Sequence, residues 1–277
     1  MPAPISIFDI NPEKININTP DKTKSNIGKL ATFTYDGRKL PVDTQMPEMT
    51  TPFGASIFSA VKGDPSDSDK ISVLFSFAGS DEDTERGRRL KRAEDKCRAI
   101  NERIKALCLK NKGLCDKKGS LGEDFFNDRD KFRPFMSVRQ QRDGTLSNPE
   151  IRAEIRRNRD DPNKIDYIKG KQSLLVDVDN KPVEADASTI TDVLPSGSVV
   201  KPIIRLSYVY INALGTLLTV KSAFVHGLRK TLGSYSDWSI APDDPVEATA
   251  LSEEEEEEDE EDDDVEDDYV EVVKARA

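Results

Sequence analysis

The sequence predicts a mainly β body that carries one helical insertion and ends in a disordered acidic tail. Three observations predict it. Short runs of alternating apolar and polar residues, bounded by Gly, Pro, Asn and Asp, recur along residues 28–225 and read as strands. One stretch, about residues 81–113, changes to apolar steps of three and four, which mark one face of a helix. From Glu253 to Asp264 every residue is an acid, a composition that cannot build a core.

Residues 1–27, rich in Pro, Asn and Thr, read as an extended N-terminal arm with one short strand at "ISIFDI". The body follows, over residues 28–240. "GKLATFTYDG" sets Leu30, Thr32 and Thr34 against Ala31, Phe33 and Tyr35, and Asp36-Gly37 forms a hairpin tip. "PFGASIFSAV" and "KISVLFSFAG" are the next strands, joined by the turn residues of "KGDPSDSD". Leu90, Ala93, Cys97, Ile100, Ile104 and Leu107 then make a narrow apolar stripe, so this helix is expected to lie on the body and not inside it. Ser80 with Asp83 predicts its N-cap, and Gly113 its end. Strand texture returns in "FRPFMSVRQQRDG" and at Leu174–Val178. The clearest hairpin is last: Val199–Ile211 and Leu217–Val225 around "NALG", with Pro202 confined to a point that needs no ladder donor. Residues 241–277 are the disordered tail. Short strands with one intervening helix fit a small, partly open β-barrel of the oligonucleotide-binding (OB) type better than a doubly wound sheet. A β-sandwich with a helical insert fits the same pattern.

The formal net charge of −11 conceals a division. Of the 52 acids, 19 lie in residues 243–277 beside 2 bases, which leaves 39 bases against 33 acids and a net of +6 in residues 1–242. A cationic body joined to an anionic tail points to an anionic partner and an internal competitor for it. Catalytic signatures are not found. The single histidine, His226, is placed at a strand end and read as structural or solvated. Cys97, Cys108 and Cys115 lack metal-site spacing and read as free thiols in a reducing compartment. "YIKGKQS" lacks the glycine spacing and hydroxyl of a phosphate loop, and no carboxylate pair stands out. The expectation is a non-enzyme without metal or cofactor. The opening "MPAPISIFDINPEK" has no basic lead, and no run approaches the ~20 apolar residues of a membrane span. An intracellular, non-secreted, non-membrane protein is expected.

Two ingredients of single-strand binding are present: a cationic track for phosphates and aromatic faces for bases. The candidate contacts are Arg133, Arg139, Arg156, Arg157, Lys169 and Lys171 with Tyr167, followed by Lys201, Arg205 and Lys221 with Tyr208 and Tyr210. Phe132 and Phe135 are interleaved with the basic run. Tyr208 and Tyr210 are two residues apart and share a face, with Lys201 and Arg205 on the opposite one. The bland readings compete: "EIRAEIRRNRDD" also reads as a solvated helical turn with local ion pairs, and strand aromatics usually pack. In the tail, Glu253, Glu256, Asp259, Asp262, Asp264, Asp268 and Tyr269 are the candidate competitor and partner-binding residues.

Three stretches carry a resemblance. "YDGRKLPVDTQMPEMTTPFGASIF", "LPSGSVVKPIIRLSYVYI" and "LGTLLTVKSAFV" resemble the single-stranded DNA-binding proteins of nucleocytoplasmic large DNA viruses, of the phycodnavirus and mimivirus type. That family is related in turn to the replication single-stranded DNA-binding protein of short-tailed coliphages. The resemblance covers roughly residues 28–270. It implies an OB-type barrel with a helix between strands, an acidic tail, and a role in replication, recombination and repair. It further implies single-stranded DNA as partner, recruitment of polymerase or helicase through the tail, and homodimers in some members. The implied location is the host nucleus or a viral replication factory, with packaging in the virion as a further option. The chain continues past Tyr269 to "VEVVKARA", where the phage relatives end in an aromatic residue. A disordered acid run also suits an acidic-tailed chaperone of histones or other basic proteins, and a virion structural protein is a third reading.

Overall fold

Two long strands near the end of the described chain organise everything else. A computed structural model describes residues 3–18, 21–22, 28–37, 42–58, 70–111, 123–139, 144–158, 160–168, 170–212 and 214–230. Its first part forms β1 (Ile5–Ser6), β2 (Ile15–Ile17), β3 (Asp21–Lys22), β4 (Gly28–Tyr35), β5 (Val42–Gln45), β6 (Met49–Thr51), β7 (Ala55–Phe58) and β8 (Lys70–Ser76). Helices α1 (Glu85–Lys110) and α2 (Glu123–Asn127) follow. After them come β9 (Phe132–Arg133), β10 (Met136–Ser137), β11 (Glu150–Ile155), β12 (Leu175–Val176), β13 (Pro182–Val183), α3 (Ile190–Val193), β14 (Ser198–Asn212) and β15 (Leu218–Lys230). With 41% strand against 20% helix among the described residues, the fold is mainly β.

β14 and β15 form the expected hairpin; β14 is one residue longer at each end, and β15 starts one residue later and runs five residues further than the sequence suggests. The other edge of β14 takes three partners in turn: β6 at Ser198–Val200, β5 at Ile203–Leu206 and β4 at Tyr208–Asn212. Pro202 sits where the partner changes from β6 to β5. Its missing N–H therefore costs no ladder bond, and its carbonyl accepts from the Met46 amide at 2.9 Å.

β6, β8 and β11 are successive antiparallel neighbours, β14 returns beside β6, and β15 lies between β14 and β11. The path β6–β8–β11–β15–β14–β6 is a partial ring in a mixed sheet. Two joints are single residue pairs, Thr50 with Ser76 and the parallel Glu154 with Ala223. β8 and β15 are not sheet neighbours, yet Phe75 and Phe224 meet edge to face with centroids 5.2 Å apart. Both rings are fully buried, and each such side chain contributes about 2–3 kcal/mol by leaving water. The described residues all fall within one compact unit, Met1–Tyr235.

Several expectations change on folding. Asp36 (φ 52°) and Gly37 (φ 73°) do make the left-handed tip foreseen for a hairpin. Among the described residues, however, β4 and β5 do not pair; both lie along β14. The stretch expected as an extended arm puts Ile7, Ile10 and Ile15 into the core, with β2 paired to β4. The α1 stripe is correct, but the helix is more deeply involved than a narrow stripe implies: Leu90, Ala93, Cys97, Ile100, Ile104 and Cys108 are all buried. Thr84, not Ser80, is its N-cap, accepting from the Gly87 amide at 2.9 Å. Ser80 instead donates to the buried Glu94 carboxylate at 2.9 Å, which Arg98 also holds through two bonds. The helix ends at Asn111, and Gly113 lies outside the described residues. The stretch allowed as a helical turn, "EIRAEI", is the strand β11. Leu174–Val178 shrinks to the two-residue β12. His226 is not at a strand end but buried inside β15.

Candidate functional site

The alternation of β11 generates the site. Ile151, Ala153 and Ile155 are buried, so Arg152 and Glu154 project from the opposite face. Beside them on β15, Lys221 reaches Glu154 at 2.5 Å. β14 completes the face through a bulge. Leu206 pairs with Ser222 and Tyr208 with Lys221, so Ser207 is an extra residue. Burial follows Ile204 and Leu206 before the bulge, then Val209 and Ile211 after it. Lys201, Arg205, Tyr208 and Tyr210 therefore share one face. Counting by twos had put the tyrosines opposite Lys201 and Arg205; the bulge reverses that parity.

The segment from Phe126 to Arg139 lies beside this face and leaves a groove of about 630 Å³. Arg129, Arg133, Arg139, Arg152 and Lys221 line it, with Glu154 as the acid among them. Its wall is fixed from α1. The buried Asn101 side chain accepts from the amides of Phe135 (3.0 Å) and Met136 (3.3 Å) and donates to the Met136 carbonyl (2.8 Å). Phe126, Phe132 and Phe135 are buried beneath, and Phe126 meets Phe132 edge to face at 5.0 Å.

Positive charge is crowded here. Partial desolvation holds the Arg152 guanidinium below its ordinary range, and the charges of Arg139 and Arg133 push the same way against Glu150. Arg139 pairs with the buried Glu150, whose carboxyl is raised by burial more than Arg139 lowers it. Burial and Glu154 push the Tyr208 hydroxyl up, opposed by Arg156 and Lys221, which places Arg156 at the edge of the same cluster. Five cations at this density, with one salt-bridged carboxylate in the lining, make a surface suited to a polyanion.

The expected contacts separate into groups. Arg133, Arg139 and Lys221 line the groove, and Arg156, Tyr208 and Tyr210 share or border its face. Arg205 belongs elsewhere: its guanidinium holds Asp43 through two bonds, at 2.7 and 2.9 Å, tying β14 to β5. Tyr167 lines a separate hollow of about 640 Å³ with Lys164, Asp166 and Glu184. Arg157 forms an isolated bridge with Ile165, and Lys171 and Lys201 are exposed away from the groove lining. Lys169, Cys115 and the tail residues Glu253, Glu256, Asp259, Asp262, Asp264, Asp268 and Tyr269 lie outside the described residues. Of the groove residues, Arg129 lies before the expected basic run, and Arg152 lies within that run but was not among the candidate contacts. The signal for Arg152 was present, because "EIRAEI" alternates strictly.

Compared with known proteins, the chain matches no protein-family model and no curated sequence. Among the described residues, no group of three or more His, Cys, Asp or Glu is placed to hold a metal. Cys97 and Cys108 are buried and outside any disulfide, and burial pushes the Cys97 thiol far up. No helix among the described residues is long and apolar enough to cross a membrane.

Proposed function

We propose that this protein is a sequence-nonspecific, non-enzymatic single-stranded DNA-binding protein acting in viral DNA replication, recombination or repair. The observation that carries the reading is the groove: Arg129, Arg133, Arg139, Arg152 and Lys221 converge on one face of the ring. The ring supports it. Its first four strands run in the spatial order four-one-two-three of a Greek key, and the fifth closes against the third. A five-stranded, partly open Greek-key barrel is the OB architecture, which binds single strands across its second and third strands; here the third strand, β11, supplies Arg152 and Glu154. The resemblance of the three quoted stretches to the viral family points the same way. In this reading the acidic tail is a tethered competitor for the groove and, once displaced by DNA, a docking segment for polymerase or helicase.

The test is the affinity for oligo-dT as a function of salt, for the full chain and for the chain ending at residue 242. A linear fall of log K with log salt is expected, with a slope that counts the phosphates held. If the shortened chain fails to bind oligo-dT at low salt, the reading falls. The strong acid run of the tail favours a second reading, a chaperone of basic proteins, in that event.

A further inference from the structure

Among the described residues, the groove offers cations to a strand but no open aromatic face. Its phenylalanines, Phe126, Phe132 and Phe135, are 7%, 2% and 5% exposed, and Phe126 packs edge to face on Phe132. Tyr208 is partly buried. The Tyr210 ring lies back over Gly28, where a Cβ would fall 2.9 Å from its Cε2. The two most exposed aromatics among the described residues, Phe53 at 64% and Tyr167 at 45%, both lie outside the groove lining. Arg129 and Arg133, in contrast, present their side chains from the exposed rim.

From this juxtaposition we infer that the groove grips the phosphodiester chain alone, with the bases turned outward and contributing almost nothing to affinity. The inference rests on the single-strand reading above and specifies which part of the ligand is recognised. Guanidinium groups fork onto phosphate oxygens whatever base is attached, and the like-charge crowding of Arg133, Arg139 and Arg152 is relieved by any bound phosphate. Stacking on even one aromatic would add on the order of tenfold per base, and the described lining has no open face to supply it.

The experiment compares the full chain's affinity for dT20 with that for an abasic 20-mer of the same deoxyribose-phosphate backbone. Arg129→Glu and Arg133→Glu, both at exposed positions, are measured beside it. Affinities within fivefold of each other, and both probes weakened at least tenfold by either variant, are the expected result. An abasic strand bound more than fivefold more weakly than dT20 overturns the inference and leaves single-strand binding intact. Unchanged affinity in both variants also overturns it, since the strand then lies elsewhere. Should neither probe bind, the single-strand reading falls together with this one.

Discussion

Arg205 and His226 show how position decides the use of a side chain. Arg205 was a candidate phosphate contact, yet its two bonds to Asp43 join residues far apart in sequence. Both side chains are mostly covered, so removing one leaves the other uncompensated. Arg205→Ala should destabilise the fold by on the order of 2–3 kcal/mol. It should leave the salt slope of oligo-dT binding unchanged. A shift in urea midpoint checks the first expectation, and a flattened salt slope would restore Arg205 to the binding surface. His226 stands 3.1 Å by Nδ1 from the Ser173 carbonyl oxygen, which only accepts, so the proton sits on Nδ1. Burial holds the imidazole below its ordinary range and outweighs that hydrogen bond. The folded state is then the poorer proton binder. Stability should be full above the unfolded value of about 6.5 and fall as pH drops below it. Urea midpoints from pH 8 to 5 should show this decline, with a flatter profile in His226→Gln.

At the scale of elements, α1 acts as a splint for the groove wall. β9 and β10 are two residues each and pair only briefly with β15 and β11. Such short strands are weakly held by ladders alone. Asn101 supplies the missing hold by meeting the amides and carbonyl of Phe135 and Met136. Asn101→Leu should leave those buried groups unpaired and cost about 1–3 kcal/mol. It should weaken oligo-dT binding as well, because the segment carries Arg133 and Arg139. Retained binding alongside lost stability would separate the splint from the site. The stripe that makes α1 a helix was legible in the sequence. Asn101 was not, since a polar residue on a helix reads as solvated until a partner backbone is brought to it. β11 was legible in its alternation but hidden by its charge, which suits a solvated turn equally well.

Across the whole molecule, charge is separated between a folded cationic part and an acidic C-terminal segment. On the competitor reading, a tethered segment of 35 residues, at most ~120 Å long when extended, would meet the groove at an effective concentration on the order of millimolar. Removing residues 243–277 should therefore tighten oligo-dT binding, most at low salt where screening is weak. Unchanged or weaker affinity in the shortened chain would end the competitor model. The ring contributes in a different way. Its strands come from five separate stretches between Met49 and Lys230, so the groove exists only when all of them are assembled.

Local pattern alone determined the strand-rich character, the core face of α1, the long final hairpin and the charge division, because each follows from periodicity or composition within one stretch. Tertiary structure decided the rest. A single bulged residue, Ser207, reversed the parity of β14 and moved Tyr208 and Tyr210 onto the face of Lys201 and Arg205. Pairing along one edge of β14 converted an expected β4–β5 hairpin into two neighbours on a common strand. The structural tie of Arg205 comes from its nearest carboxylate, Asp43, which lies 162 residues away in sequence. Alternation is a local property, but register, bulges and ion pairing are relations between distant stretches, and only the packed sheet defines them.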